Sequence, residues 1–116
     1  MAISELFTAT AVTVGATEYS LTNNSTVIAA QTTKAHVAAF IDMSNMAAGD
    51  EYEVALQEKA RSGGTQRRVV LAHLKDALAE PLFVTPSLPL FWGWDFTLKK
   101  IAGTDRAFDW SIRGVT

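Results

Sequence analysis

The chain has 116 residues, a formal net charge of −2, 48% hydrophobic and 19% charged residues, and no cysteine. That length holds one domain with a core of its own, and the lack of cysteine excludes disulfides, thiol catalysis and cysteine-ligated zinc. A near-neutral balance argues against non-specific nucleic-acid binding, which needs a basic face to displace counterions.

The first five residues, Met1-Ala2-Ile3-Ser4-Glu5, lack the positive, apolar start of a signal peptide. No apolar run is long enough to cross a bilayer. The expectation is a chain that folds in the cytoplasm where it is made, without membrane contact, and reaches any later destination by assembly. Up to Thr33 the charged residues are Glu5 and Glu18, and all the others lie from Lys34 to Arg113. No linker separates the two parts, so residues 1–116 read as one domain whose first third meets little water or meets a partner.

Residues 8–14 alternate small and branched side chains and predict a strand. Gly15 breaks it, and a strand resumes at residues 18–21. Asn23-Asn24-Ser25 predicts a turn, since asparagine tolerates left-handed backbone; residues 26–30 read as a short strand and 36–43 as a longer one. Residues 44–50 form a loop with room for one helical turn. In residues 51–58, Tyr52, Val54 and Leu56 face one way while Glu51 and Glu53 face the other, which is period two. Arg61-Ser62-Gly63-Gly64-Thr65 supplies a turn with two glycines. Residues 66–80 fit either a helix or a returning strand at residues 69–72; the strand is preferred because the preceding one needs a partner.

The uncharged segment 81–94 holds three prolines, which keep it out of a central strand. It is expected as an extended crossover, with Trp92 and Trp94 on one side and Phe91 on the other. Some of its apolar groups fill the core, and a partner contact is as good an account of the rest. Last, Trp94, Phe96 and Leu98, then Phe108, Trp110 and Ile112, alternate with polar residues and predict a closing hairpin of two adjacent antiparallel strands over residues 94–113. About eight strands with turn signals every 8–12 residues predict an all-β, single-domain antiparallel β-sandwich, jelly-roll or immunoglobulin-like.

Candidate chemistry is thin. His36 and His73 could meet as a metal pair, but no spaced third ligand completes a set, so no metal site is expected. Asp50, Glu51 and Glu53 are loosely suggestive of calcium, yet the register of a calcium loop is absent and a solvated strand face explains the glutamates better. Arg67-Arg68 with Lys99-Lys100 reads as a mixed, salt-bridged surface rather than a nucleic-acid patch. The overlapping glycosylation sequons at Asn23 and Asn24 are accounted for by the turn. No nucleophile elbow or phosphate loop is present, so neither an enzyme nor a cofactor is expected.

Several stretches together resemble small structural proteins of tailed bacteriophages, of the capsid cement or head-decoration type. These are Ala2-Ile3-Ser4-Glu5-Leu6-Phe7, Glu18-Tyr19-Ser20-Leu21, the Phe40-Ile41-Asp42 strand running to Ala48-Gly49-Asp50-Glu51, and Glu58-Lys59. Ser62-Gly63-Gly64-Thr65-Gln66-Arg67 and Gly93-Trp94-Asp95, on through Lys99-Lys100-Ile101-Ala102-Gly103-Thr104-Asp105-Arg106 to Trp110-Ser111-Ile112-Arg113, complete the set. Residues 68–80 depart from the pattern. The resemblance implies a homo-oligomer, trimer or dimer, on the capsid exterior of a virion, bridging subunits of the major capsid protein. It supplies no catalytic residues. Expected contact regions are residues 6–14 and 90–94, with Leu6, Phe7, Val12, Val14, Leu90, Phe91 and Trp92 as the contact residues. The alternative is a ligand- or carbohydrate-binding module of a phage tail or cell surface, using Trp92, Trp94 and Trp110 as a row of exposed rings.

Overall fold

The computed structural model describes residues 2–115. Nine strands make two antiparallel sheets: β1 (Ile3–Val14), β2 (Tyr19–Ser20), β3 (Ala35–Asp42), β4 (Glu51–Glu58), β5 (Arg67–Lys75), β6 (Leu82–Val84), β7 (Leu88–Leu90), β8 (Asp95–Ala102) and β9 (Arg106–Val115). Sheet A runs β1-β9-β3, with β6 and β7 sharing the far edge of β3; sheet B runs β2-β8-β4-β5. The expected all-β sandwich is what the chain forms.

The pairing is nested. β1 pairs β9, β2 pairs β8, β3 pairs β6 and β7, and β4 pairs β5. One long ribbon is thus doubled back about residues 59–66 and rolled, and the β3–β9 and β4–β8 pairings stitch the roll into two sheets. Counting β6 and β7 as one interrupted strand, this is the eight-strand jelly roll. The interruption sits at Thr85-Pro86-Ser87. Thr85 is buried and exchanges two bonds with Ala39, its hydroxyl accepting the Ala39 N–H at 2.9 Å and its own N–H donating to the Ala39 carbonyl at 3.0 Å. Pro86 then needs no ladder bond, which is the only way a sheet edge tolerates it.

Three expectations need correction. Residues 94–113 are not a hairpin: β8 lies in sheet B and β9 in sheet A, each with both edges already filled by other strands. Alternation reports which face of a strand is buried, not which strand it pairs with. The burial was read rightly, since Trp94, Phe96, Leu98, Phe108, Trp110 and Ile112 are all at most 3% exposed, but they meet across the sandwich rather than along one ribbon. Residues 26–30 form no strand, because side chains hold that backbone as a loop: Asp95 accepts the Ala29 N–H, and Gln66 donates to the Ala29 carbonyl. Residues 44–50 make turns, at Met43–Met46 and Ala47–Asp50, rather than a helical one. The ambiguous segment is strand β5.

The core is sealed at one end by a corner. Gly103 adopts φ +92°, and a methyl there would overlap the Asp50 carboxylate and backbone. Only glycine fits this approach, and it lets β8 cross to β9 in the opposite sheet.

Candidate functional site

Asp50 fills that corner. It is 1% exposed and accepts the Thr104 N–H and the Ala47 N–H at 2.9 Å each, plus the Arg106 Nε–H at 2.7 Å. The Thr104 and Ala47 amides and the Arg106 guanidinium hold its carboxyl at about 2, against an ordinary 3.8. Beside it the Tyr52 hydroxyl donates to the Val14 carbonyl at 2.7 Å and accepts the Arg106 N–H at 2.9 Å, and burial pushes that phenol up. Both carboxylate oxygens of Asp50 are engaged in holding the corner together. The acidic trio is thereby split, with Asp50 inside and Glu51 and Glu53 on the outer face of sheet B. Among the described residues no group of His, Cys, Asp or Glu is arranged to hold a metal ion.

The outer face of sheet B is an ionic mesh over a buried polar layer. Arg68 donates to Glu18 at 2.6 Å and to Glu53 at 3.0 Å, and the ring nitrogens of His73 stand 3.3 Å from Glu53 and from Glu51. Arg68, then His73, pull the Glu53 carboxyl down. Beneath, the Thr97 hydroxyl donates to Glu18 at 2.6 Å, while Asp95 accepts the Thr22 hydroxyl at 2.7 Å and the Ala29 N–H at 2.9 Å. Asp95 is fully buried, and that burial raises its pKa. The two basic pairs form no patch, since Arg68 is committed to two glutamates and Lys100 to Asp105. His36 lies on the outer face of sheet A and His73 on that of sheet B, so the two histidines do not meet.

The expected contact residues divide. Val14 is 0% and Leu90 3% exposed; both belong to the core and offer no side chain to a partner, which corrects their assignment. Leu6, Phe7 and Val12 are half-buried against that core, with Phe7 edge-on to Trp94 at 6.2 Å and Leu6 lying over Gly114. Phe91, 44% exposed, and half-buried Trp92 form an edge-to-face pair at 4.5 Å with the Lys34 ammonium over both rings. Their two N–H groups donate to the Glu58 carboxylate, which fixes the pair rigidly at the end of the sandwich. Gly93, at φ +55°, breaks the alternation expected to align Trp92 with Trp94. Trp94 and Trp110 are instead core residues whose indole N–H groups donate to the Thr33 and Leu21 carbonyls. The row of three exposed tryptophans does not exist.

Two features of sheet A are open. The first is the free edge of β1, which pairs β9 on one side; among the described residues no strand pairs the other. Elsewhere the edges are blunted: β5 carries Arg67, Arg68, His73 and Lys75, β6–β7 carries Pro86 and Pro89, and β2 is two residues long. From Leu6 to Val14 the β1 edge has neither charge nor proline. Bulges at Glu5/Phe7 and Ala9/Val12 divide it into short runs, with Ala11 at φ +53° and its N–H bonded to Asp109.

The second is the outer face of sheet A, which the sequence reading missed. Phe40, Ala38, Leu82, Val84, Pro89, Val115 and Ile3 point outward there by register. Ile3 is 77%, Leu82 56% and Val84 44% exposed. The Arg113 guanidinium stacks on the Phe40 ring at 3.9 Å. Open depressions of about 460, 290 and 210 Å³ lie on or beside this face. A signal was present in the sequence: residues 37–41 are apolar on both alternating sets, with Ala38 and Phe40 between Val37, Ala39 and Ile41, and large apolar groups on both faces of a strand mark an outer face that calls for cover.

No family model, curated protein or solved structure matches the chain.

Proposed function

We propose that this chain is a virion structural protein of a bacteriophage, a decoration or cement protein that binds the shell of the major capsid protein and stabilises it from outside. It is made in the host cytoplasm and acts by binding, not by catalysis. The observation that carries the binding reading is the uncharged stretch from Leu6 to Val14 on the β1 edge, unpaired among the described residues, on a jelly roll whose other edges are blunted. Such an edge accepts a strand from a neighbour through main-chain hydrogen bonds, and the two bulges confine that addition to short runs such as Phe7–Ala9. Each contact is weak alone, and many copies on a symmetric shell gain strength from effective concentration. The shell as partner rests on the resemblance of the quoted stretches. The carbohydrate-binding alternative loses its support with Trp94 and Trp110 in the core.

The test is co-sedimentation of purified protein with expanded capsids of the phage that encodes it, with mass spectrometry of washed virions. Stoichiometric binding, weakened by the edge charges Thr10→Lys and Thr13→Lys, is expected. Absence from both capsids and virions overturns the proposal.

A further inference from the structure

The outer face of sheet A divides into four rows across the strands. In register order they are Pro89–His36–Val115–Ile3, Ala38–Arg113–Glu5, Val84–Phe40–Ser111–Thr8 and Leu82–Asp42–Asp109. Charge is sorted along this axis. Lys34 and Arg113 lie toward the first row, while Asp42 and Asp109 form the last. Size is sorted too: Phe40 stands one row from the small Ala38, and Leu82 protrudes from the last row, whereas the first row borders the 460 Å³ depression beside Pro89, His36 and Val115.

We infer that this face is a two-fold interface with a second copy of the same chain, the axis lying in the interface and perpendicular to the strands. That operation reverses the order of the rows. Leu82 of one copy then meets the Pro89 end of the other, Phe40 covers Ala38, His36 faces Asp42, and Arg113 comes within one row of Asp109; each contact occurs twice, as an isologous interface requires. Glu5, the one acid among the cations, accepts the Ser111 hydroxyl of its own chain and faces the Thr8 hydroxyl of the copy. A parallel stacking of rows would instead set Asp42 of each copy against Asp109 of the other, so the charge pattern selects the reversed one. Four strands over about seven residues make a face of roughly 20 by 24 Å. Two copies bury on the order of 1,000 Å², the low end for a specific interface, which makes the dimer concentration-dependent. The same axis leaves the interface across the β1 edge, so the two open β1 edges emerge side by side on one flank. The inference goes beyond the capsid reading and does not depend on it.

The experiment is sedimentation and light scattering of the purified chain over a concentration series, with no capsid present. A species of twice the 12.6 kDa chain mass is expected, with Leu82→Glu returning it to monomer. Val84→Lys, one row inward, is the second probe if Leu82→Glu fails to fold by circular dichroism. Arg113→Glu and Asp109→Lys should each weaken association about tenfold, and the double variant, which restores opposite charges across the axis, should recover most of that loss. A monomer at every concentration up to about 1 mM overturns the inference. So does a trimer, a dimer indifferent to both apolar variants, or a double reversal no better than its parents.

Discussion

The two exteriors of this sandwich meet the surroundings by different means. Over sheet B the segment around residues 18–31 folds down onto β8, putting Leu21 into the core and meeting the outward side chains of β8 through polar groups. Asp95 gathers the Thr22 hydroxyl and the Ala29 amide, and Glu18 gathers Thr97 and Arg68. Over sheet A there is no such cover among the described residues, and the outward positions carry Phe40, Leu82, Val84 and Ile3. Both are outer faces of sheets formed by one rolled ribbon. The difference teaches that the chain supplies its own lid over β8 of one sheet and, among the described residues, none over the other. Hydrogen bonds and ion pairs fix a permanent lid, because each buried donor left unmatched costs free energy. An apolar face is suited to a contact made and unmade by concentration.

That contrast can be broken at several points. The largest effect is expected at Asp95→Ala, which leaves a buried hydroxyl and amide without an acceptor: about 3 kcal/mol of stability should be lost, with faster hydrogen exchange across residues 21–31. Glu18→Ala should cost about 1–2 kcal/mol by freeing the buried Thr97 hydroxyl and Arg68, read by urea denaturation.

The acid limb comes next. Asp50 and Glu53 have folded values below their ordinary ones, so the stability they contribute is complete above the ordinary carboxylate range and is lost as pH falls through the folded values, for Asp50 between 3.8 and about 2. Asp95 runs the other way: its folded value is raised, so its contribution is full below 3.8 and lost as pH rises through that raised value. Asp50→Asn should therefore flatten the fall in melting temperature below pH 4, and Asp95→Asn should not. The smallest effect belongs to sheet A. Leu82→Glu and Val84→Lys should change chemical stability of the monomer by no more than about 0.5 kcal/mol. A large loss there would mean that the face is part of the monomer's own core, and the contrast would collapse.

Much of the fold was legible because strands announce their buried face by period two. Residues 51–58 were bounded to the residue, and all six bulky side chains of residues 94–113 were placed inside. Pairing was not legible, since a short turn with an apolar face on each side serves a hairpin and a sheet-crossing corner equally. The deciding feature is the approach of Gly103 to Asp50, residues more than fifty positions apart. The false strand at residues 26–30 has the same origin, in captures by Asp95 and Gln66 from elsewhere in the chain. For the candidate site, the charge-poor N-terminal third pointed to the β1 edge. Val14 and Leu90 were misassigned because an apolar residue in an uncharged stretch reads alike in a core and in a contact. Phe40 was visible but was counted only as strand.

The nested pairing also sets an order of events on the ribosome. β2, β4, β5 and β8 have all been synthesised once Ala102 has emerged, which completes the strands of sheet B. Sheet A cannot close then, because β9, its strand between β1 and β3, is the last to be made. Until the tunnel releases it, β1 and β3 stand with their inner apolar rows uncovered and no common neighbour, as long-range strand pairing requires. A product truncated after residue 102 would carry every strand of sheet B and lack the strand that joins β1 to β3 in sheet A.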